Sequence, residues 1–137
     1  MIHAFLSFLI CIGLAVPALA ETRGEVRQTT RELLKARKYR ELEALVARLR
    51  AEPFAVTERN PKLEAFYGAL DLSSKASEKS WLARGKELEA WGVAVPDSVA
   101  AKTLLADWWT GYAWKARGTG WARTVTDEGW RLMKERL

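Results

Sequence analysis

Trp108-Trp109-Thr110-Gly111-Tyr112-Ala113-Trp114-Lys115-Ala116-Arg117-Gly118-Thr119-Gly120-Trp121 is the stretch that decides how this chain folds. Five of the seven tryptophans lie between Trp108 and Trp130. Each indole is a large apolar body whose N–H needs a partner when buried, so the cluster is either the packing centre of the domain or an aromatic platform for a ligand. Upstream, Ala101, Leu104, Leu105, Trp108, Trp109, Tyr112, Ala113 and Ala116 cover more than one stripe of a helix from Val99 to Arg117. A helix apolar around most of its circumference is expected at the centre of the fold, with neighbours on several sides. Gly118 suits the left-handed position after that helix, and Gly118 and Gly120 bracket one residue where a tight reversal calls for positive φ.

Helical periodicity extends outward in both directions, with no convincing strand alternation. Downstream, Thr126 caps a sixth helix with Asp127 and Glu128 in its first turn and Lys134 and Arg136 in its last. Its apolar positions are Trp130, Met133 and Leu137. Upstream, Ser77 caps a fourth helix to about Trp91, burying Trp81, Leu82, Gly85, Leu88 and Trp91; Gly92 to Pro96 ends it, and Asp97 or Ser98 caps the next. Asn60-Pro61 starts a short third helix carrying Leu63, Phe66, Tyr67 and Leu70. Val26, Thr30, Leu33 and Leu34 stripe a first helix over about 24–36, and Leu42, Leu45, Val46 and Leu49 a second over about 39–51. Only Arg37 and Lys38 separate those two, so they form a hairpin. A loop from Pro53 to Arg59 follows it. The expected architecture is all-α: antiparallel helical hairpins stacked as a divergent tetratricopeptide-like array of about six helices. The hairpin departs from the tetratricopeptide pattern at its turn, where Lys38 replaces a small residue.

Residues 1–20 read as a signal peptide. The chain is apolar from Ala4 to Val16 apart from Ser7 and Gly13; Pro17 breaks the run, and Ala18-Leu19-Ala20 precedes Glu21 as a cleavage motif. An N-terminal membrane anchor is the alternative, the run being close to the minimum spanning length of about 17 residues. The expected product is exported, periplasmic or extracellular, with residues 21–137 forming one domain. Cys11 and His3 lie inside the leader, so the remaining chain would have no thiol, imidazole, disulfide or His/Cys metal site. No cofactor and no metal are expected.

The formal net charge is +5, from 22 basic and 17 acidic side chains. Nine basic and five acidic residues fall within 21–50, and Arg23, Arg27, Arg31 and Lys35 recur every four residues on one face of the first helix. That face is either solvated and partly paired with Glu25 and Glu32 or a contact for an anionic surface. Nucleic acid is not an expected partner outside the cytoplasm.

Pro96-x-Ser98, the run Ala113-Trp114-Lys115-Ala116-Arg117-Gly118-Thr119-Gly120-Trp121-Ala122, then Val125-Thr126 and Trp130 together resemble the bacterial domain-of-unknown-function family DUF4034. Leu63-x2-Phe66-Tyr67-x2-Leu70 and Trp91 match its spacing, so the resemblance covers about Leu33 to Leu137. It implies a helical, tetratricopeptide-like fold and no assigned reaction; the family's domain is expected to continue with further helices beyond the position of Leu137.

The residues favour a non-catalytic binding or scaffolding module with a protein or peptide partner, since stacked hairpins present a curved surface. Trp109, Trp114 and Trp121 are the candidate anchors, with Arg117 beside them, because interface hot spots favour Trp and Arg. Arg117 is placed to stack on Trp114 or Trp121. Adjacent Trp108 and Trp109 point about 100° apart on a helix, so one is expected at a groove edge. A cell-envelope glycan-acting enzyme is the alternative, its carboxylate pair being Asp107 and Glu128. Ser77 with Lys79 or Ser80 lacks a Ser-x-x-Lys frame for nucleophilic chemistry.

Overall fold

The computed structural model describes residues 21–53, 60–118 and 120–137. The leader, most of the Pro53–Arg59 loop and Thr119 lie outside the described residues. Six α-helices account for the regular structure, and no strand occurs among the described residues. They are α1 (Arg23–Lys35), α2 (Tyr39–Ala51), α3 (Pro61–Tyr67), α4 (Glu78–Ala94), α5 (Val99–Arg117) and α6 (Asp127–Arg136), with a 3-10 turn at Ala122–Thr124.

Side-chain oxygens set five of the six helix starts. Thr22 and Glu25 form a reciprocal capping box: the Thr22 N–H donates to Glu25 Oε2 at 2.6 Å, and the Glu25 N–H donates to Thr22 Oγ1 at 3.2 Å. Asn60 accepts from the Leu63 N–H, Ser77 from Ser80, Ser98 from Ala101 and Thr126 from Gly129. Asn60 also donates through Nδ2 to the Leu49 carbonyl at 2.7 Å, binding the start of α3 to the end of α2. Helix α1 ends in a Schellman pair, with the Arg37 N–H on the Leu34 carbonyl and the Lys38 N–H on that of Leu33. Arg37 takes φ 56° there, a conformation that favours glycine.

The apolar stripes pack in succession. Helix α1 lies against α2, α3 and α4; α2 touches α3; α4 pairs with α5, and α5 with α6. Val26, Leu34, Leu42, Leu49, Phe66, Leu88 and Trp91 fill the first part of the core. Trp91 meets Phe66 edge to face, the centroids 6.5 Å apart, and donates its indole N–H to Glu43 Oε1 at 2.9 Å. Trp81, Leu104, Trp108 and Tyr112 continue the core between α4 and α5.

Three expectations are corrected. Helix α5 is not a central element: its principal neighbours are α4 and α6, so Val99, Trp109 and Trp114 stay exposed. Leu82 does not share the buried face of α4, which runs through Trp81, Gly85, Leu88 and Trp91, and that helix continues past Trp91 to Ala94. Leu137 is exposed rather than packed with Trp130 and Met133, which are half-buried.

Candidate functional site: a groove beside Trp114 and Arg117

The C-terminal half of α5 presents different side chains to different surroundings. Trp108 and Tyr112 face α4 and are buried. The Tyr112 ring stacks on Trp108 and on Trp81 at 5.1 and 5.8 Å, and Trp108 Nε1 donates to the Trp81 carbonyl at 2.9 Å. Gly85 and Gly111 allow this closeness: a Cβ on Gly85 would lie 2.5 Å from Trp108 Cζ2, and one on Gly111 2.9 Å from Trp81 Cη2. Glycine inside a helix signals such an approach.

Trp81 thereby reaches a groove of about 490 Å³ lined also by Leu72, Ser74, Gly111, Trp114, Lys115, Arg117 and Gly118. The groove lies between α5 and the connection from α3 to α4. Lys115 ties these walls together, its ammonium donating to the carbonyls of Ala76 at 2.9 Å and Ser74 at 3.3 Å. Trp114 is 51% exposed. The Arg117 guanidinium sits over the Trp114 ring at 5.1 Å and over the Trp130 ring at 5.2 Å. Trp130 of α6, not Trp121, is therefore the second ring of the predicted stack. Gly118 has φ 80°, as expected for the corner, and its N–H closes the helix on the Trp114 carbonyl. Gly120 has no positive φ; it is small for a different reason, since a Cβ there would run into the Thr124 hydroxyl.

The three exposed tryptophans do not share a surface. Trp109, 40% exposed, borders a separate depression with Ala106, Thr110, Glu135, Arg136 and Leu137. Trp121, 80% exposed, lies with Ala122 and Arg123 on the corner after α5. Below Trp109, Arg136 packs over the Tyr112 ring and bonds to the Tyr112 carbonyl and to Glu78, which also accepts the Tyr112 hydroxyl. Burial first, then the bond to Glu78, pushes the Tyr112 phenol above its ordinary range.

The basic face of α1 is divided too. Arg27 and Arg31 border one open groove with Gly24, Gln28 and Glu32, whereas Lys35 borders a small cavity with Arg37, Lys86 and Glu87. Arg23 is exposed at the helix start. Arg31 is structural in part, its Nε donating to the Ala69 carbonyl at 2.8 Å. The expected acidic partners are engaged elsewhere, Glu25 by the capping box and Glu32 by Gln28. Next to Arg31, burial holds the Arg84 guanidinium below its ordinary range, with Arg31 adding to the effect and Glu87 opposing it.

The carboxylates named for glycan chemistry are not matched to each other. Arg131 grips both oxygens of Glu128, at 2.6 and 2.7 Å, and this bond holds that carboxyl below its usual range. Asp107 acts instead on Asp71, whose carboxyl is raised by burial first and by Asp107 second, with Arg27 opposing. Among the described residues no group of three or more His, Cys, Asp or Glu side chains is placed to hold a metal ion. No described helix is long and apolar enough to cross a membrane.

Neither Lys115 and Gly111 as lining of this groove nor Trp130 as the ring beside Arg117 was expected from the sequence. Gly111 carried a signal, as a glycine within a strongly apolar helix; the partners of Lys115 and Trp130 depend on how distant elements meet. No curated protein and no solved structure matches the chain. The sequence model of the family described as Domain of unknown function (DUF4034) matches residues 26–135, and the chain belongs to that family.

Proposed function

We propose that this chain is an exported, non-catalytic binding module whose ligand is a peptide or protein segment received in the groove between α5 and the α3–α4 connection. The observation that carries this reading is Trp114: a large aromatic face, half open to solvent, on a concave surface with a stacked arginine beside it. Trp and Arg at the centre of a concave apolar patch are the residue types that dominate binding energy at protein interfaces. The succession of packed helices supports the curved-stack reading, and the apolar run ending in Ala18-Leu19-Ala20 supports export.

An array of random dodecapeptides, probed with the purified chain and three variants, tests the proposal. Trp114→Ala is expected to lose the peptides that the wild type retains, by about 2 kcal/mol or more. Trp109→Ala and Trp121→Ala are expected to retain them. Equal retention by Trp114→Ala would remove the groove as the binding site. A fusion of residues 1–20 to a reporter enzyme active only after export tests the compartment; an inactive reporter would remove that part.

A further inference from the structure

We infer that the groove's ligand carries a carboxylate next to a large apolar side chain, with Arg117 receiving the carboxylate and Trp114 the apolar group. The inference rests on the peptide-binding reading above and specifies its chemistry.

The groove wall holds two cations, Lys115 and Arg117, and no acidic residue lines it among the described residues. Lys115 already directs N–H groups at the carbonyls of Ala76 and Ser74, which pins its charge at the rim. Arg117 is differently placed. Its one hydrogen bond among the described residues is a long one, 3.4 Å, to the neighbouring Gly118 carbonyl, and it has no ion pair there. A guanidinium has five N–H donors, all in its plane. Its central carbon lies over the rings of Trp114 and Trp130 at 5.1 and 5.2 Å, and the donors not directed at Gly118 match a planar oxyanion held at two points. Arg117 is half-buried, so its attraction for an anion is screened less than that of a fully exposed arginine.

The rest of the groove decides between anionic ligands. Leu72, Trp81, Gly111 and Trp114 offer apolar surface, and among the described residues Ser74 supplies the one side-chain hydroxyl in the lining. An acidic sugar would bring several hydroxyls whose burial costs free energy without partners. A peptide with one carboxylate beside an aromatic or aliphatic side chain satisfies the cation and fills the apolar remainder. The carboxylate is either a chain terminus or an Asp or Glu side chain, and the same chemistry recognises both.

Synthetic peptides separate these sources. The probe is a set of N-acetylated heptapeptides with Phe, Leu or Trp at the last two positions. Each is made with a free C terminus, as the C-terminal amide, and as the amide with Glu beside the apolar residue. Binding to the purified chain is read by calorimetry, with an acidic oligogalacturonide as a further arm. The acid form, the Glu-amide form or both are expected to bind at least about tenfold more tightly than the plain amide, as for a hydrogen bond to a charged group. Arg117→Gln is expected to abolish that difference while keeping the wild-type helical circular dichroism. The wild-type comparison alone decides the matter should that variant not fold. Equal affinity for acid and amide forms would overturn the carboxylate inference and leave peptide binding standing. Absence of binding by every peptide, with or without binding of the oligogalacturonide, would overturn both.

Discussion

At Gly85, on the buried face of α4, an added methyl group would meet the edge of the Trp108 indole at 2.5 Å. That indole cannot swing aside, because its N–H is bonded to the Trp81 carbonyl and its face is stacked on Tyr112. Gly85→Ala should therefore destabilise the chain by about 1–3 kcal/mol, the cost of overpacking a filled core, despite the better helix propensity of alanine. Urea denaturation measures this; an unchanged or higher midpoint would mean that the α4–α5 seam has slack. Much at this scale is legible in the sequence. Trp108 and Trp109 touch edge to face at 4.6 Å, yet one is buried and the other half-exposed, as their positions about 100° apart on the helix imply. Gly118 was identifiable from its place after an apolar helix. The second ring over Arg117 was not, because Trp130 lies a corner and a helical turn away, and the path of that corner decides which indole arrives.

Element ends offer the sharpest local tests. Arg37 holds the left-handed position of the α1 Schellman turn, which costs a side-chain-bearing residue roughly 1–2 kcal/mol relative to glycine. Arg37→Gly removes that strain and adds backbone entropy to the unfolded chain, worth about 0.5–1 kcal/mol in the other direction. The expected net result is a gain of up to about 1 kcal/mol in thermal denaturation; a clear loss would show that the Arg37 side chain contributes contacts of its own. At the other end of α1, the Thr22 backbone N–H, and then its hydroxyl, hold the Glu25 carboxyl below its ordinary value of 4.5. A carboxyl lowered by folding stabilises above its unfolded value, and that contribution fades as the pH falls through the folded value. Amide protection in the first turn of α1, after correction for the intrinsic pH dependence of exchange, should accordingly fall on acidification below about pH 4.5, and more steeply than in Glu25→Gln. Identical pH profiles for the two would contradict the capping box. Asn60, Ser77 and Thr126 were readable as caps because each is a short polar residue before an apolar period, and Ser98 as one of two candidates with Asp97; Thr22 went unnamed, although Glu25 three residues later is the signal of a capping box. The centrality assigned to α5 was not sound, since an apolar circumference does not reveal how many neighbouring elements cover it.

Across the molecule, the first three helices meet the last three through α1 against α4, through Phe66 of α3 on Trp91 of α4, and through a part-buried polar node. Glu43 of α2 accepts both the Trp91 indole N–H of α4 and the Ser98 hydroxyl that caps α5. Trp91 is fully buried, so Glu43→Ala would leave its N–H without a partner, at a cost of about 1–3 kcal/mol. Glu43→Gln, which keeps an acceptor, should lose less. An alanine variant as stable as the wild type would mean that the first three and last three helices are coupled by apolar contact alone. The stripes on α1, α2 and α4 foretold an all-helical fold with neighbouring hairpins. Glu43 was invisible because it looks like any charged residue at the edge of an apolar face. The candidate anchors were legible as exposed rings but not as a set, since Trp109, Trp114 and Trp121 look alike in the chain and diverge only once α6 and the corner are placed. Fluorine NMR of the chain labelled with 5-fluorotryptophan, titrated with a peptide recovered from the array, tests that separation directly. The resonance of Trp114 should shift, with that of Trp130 following through Arg117, while those of Trp109 and Trp121 stay in place. A shift at Trp109 or Trp121 with Trp114 unmoved would contradict the groove as the site of binding.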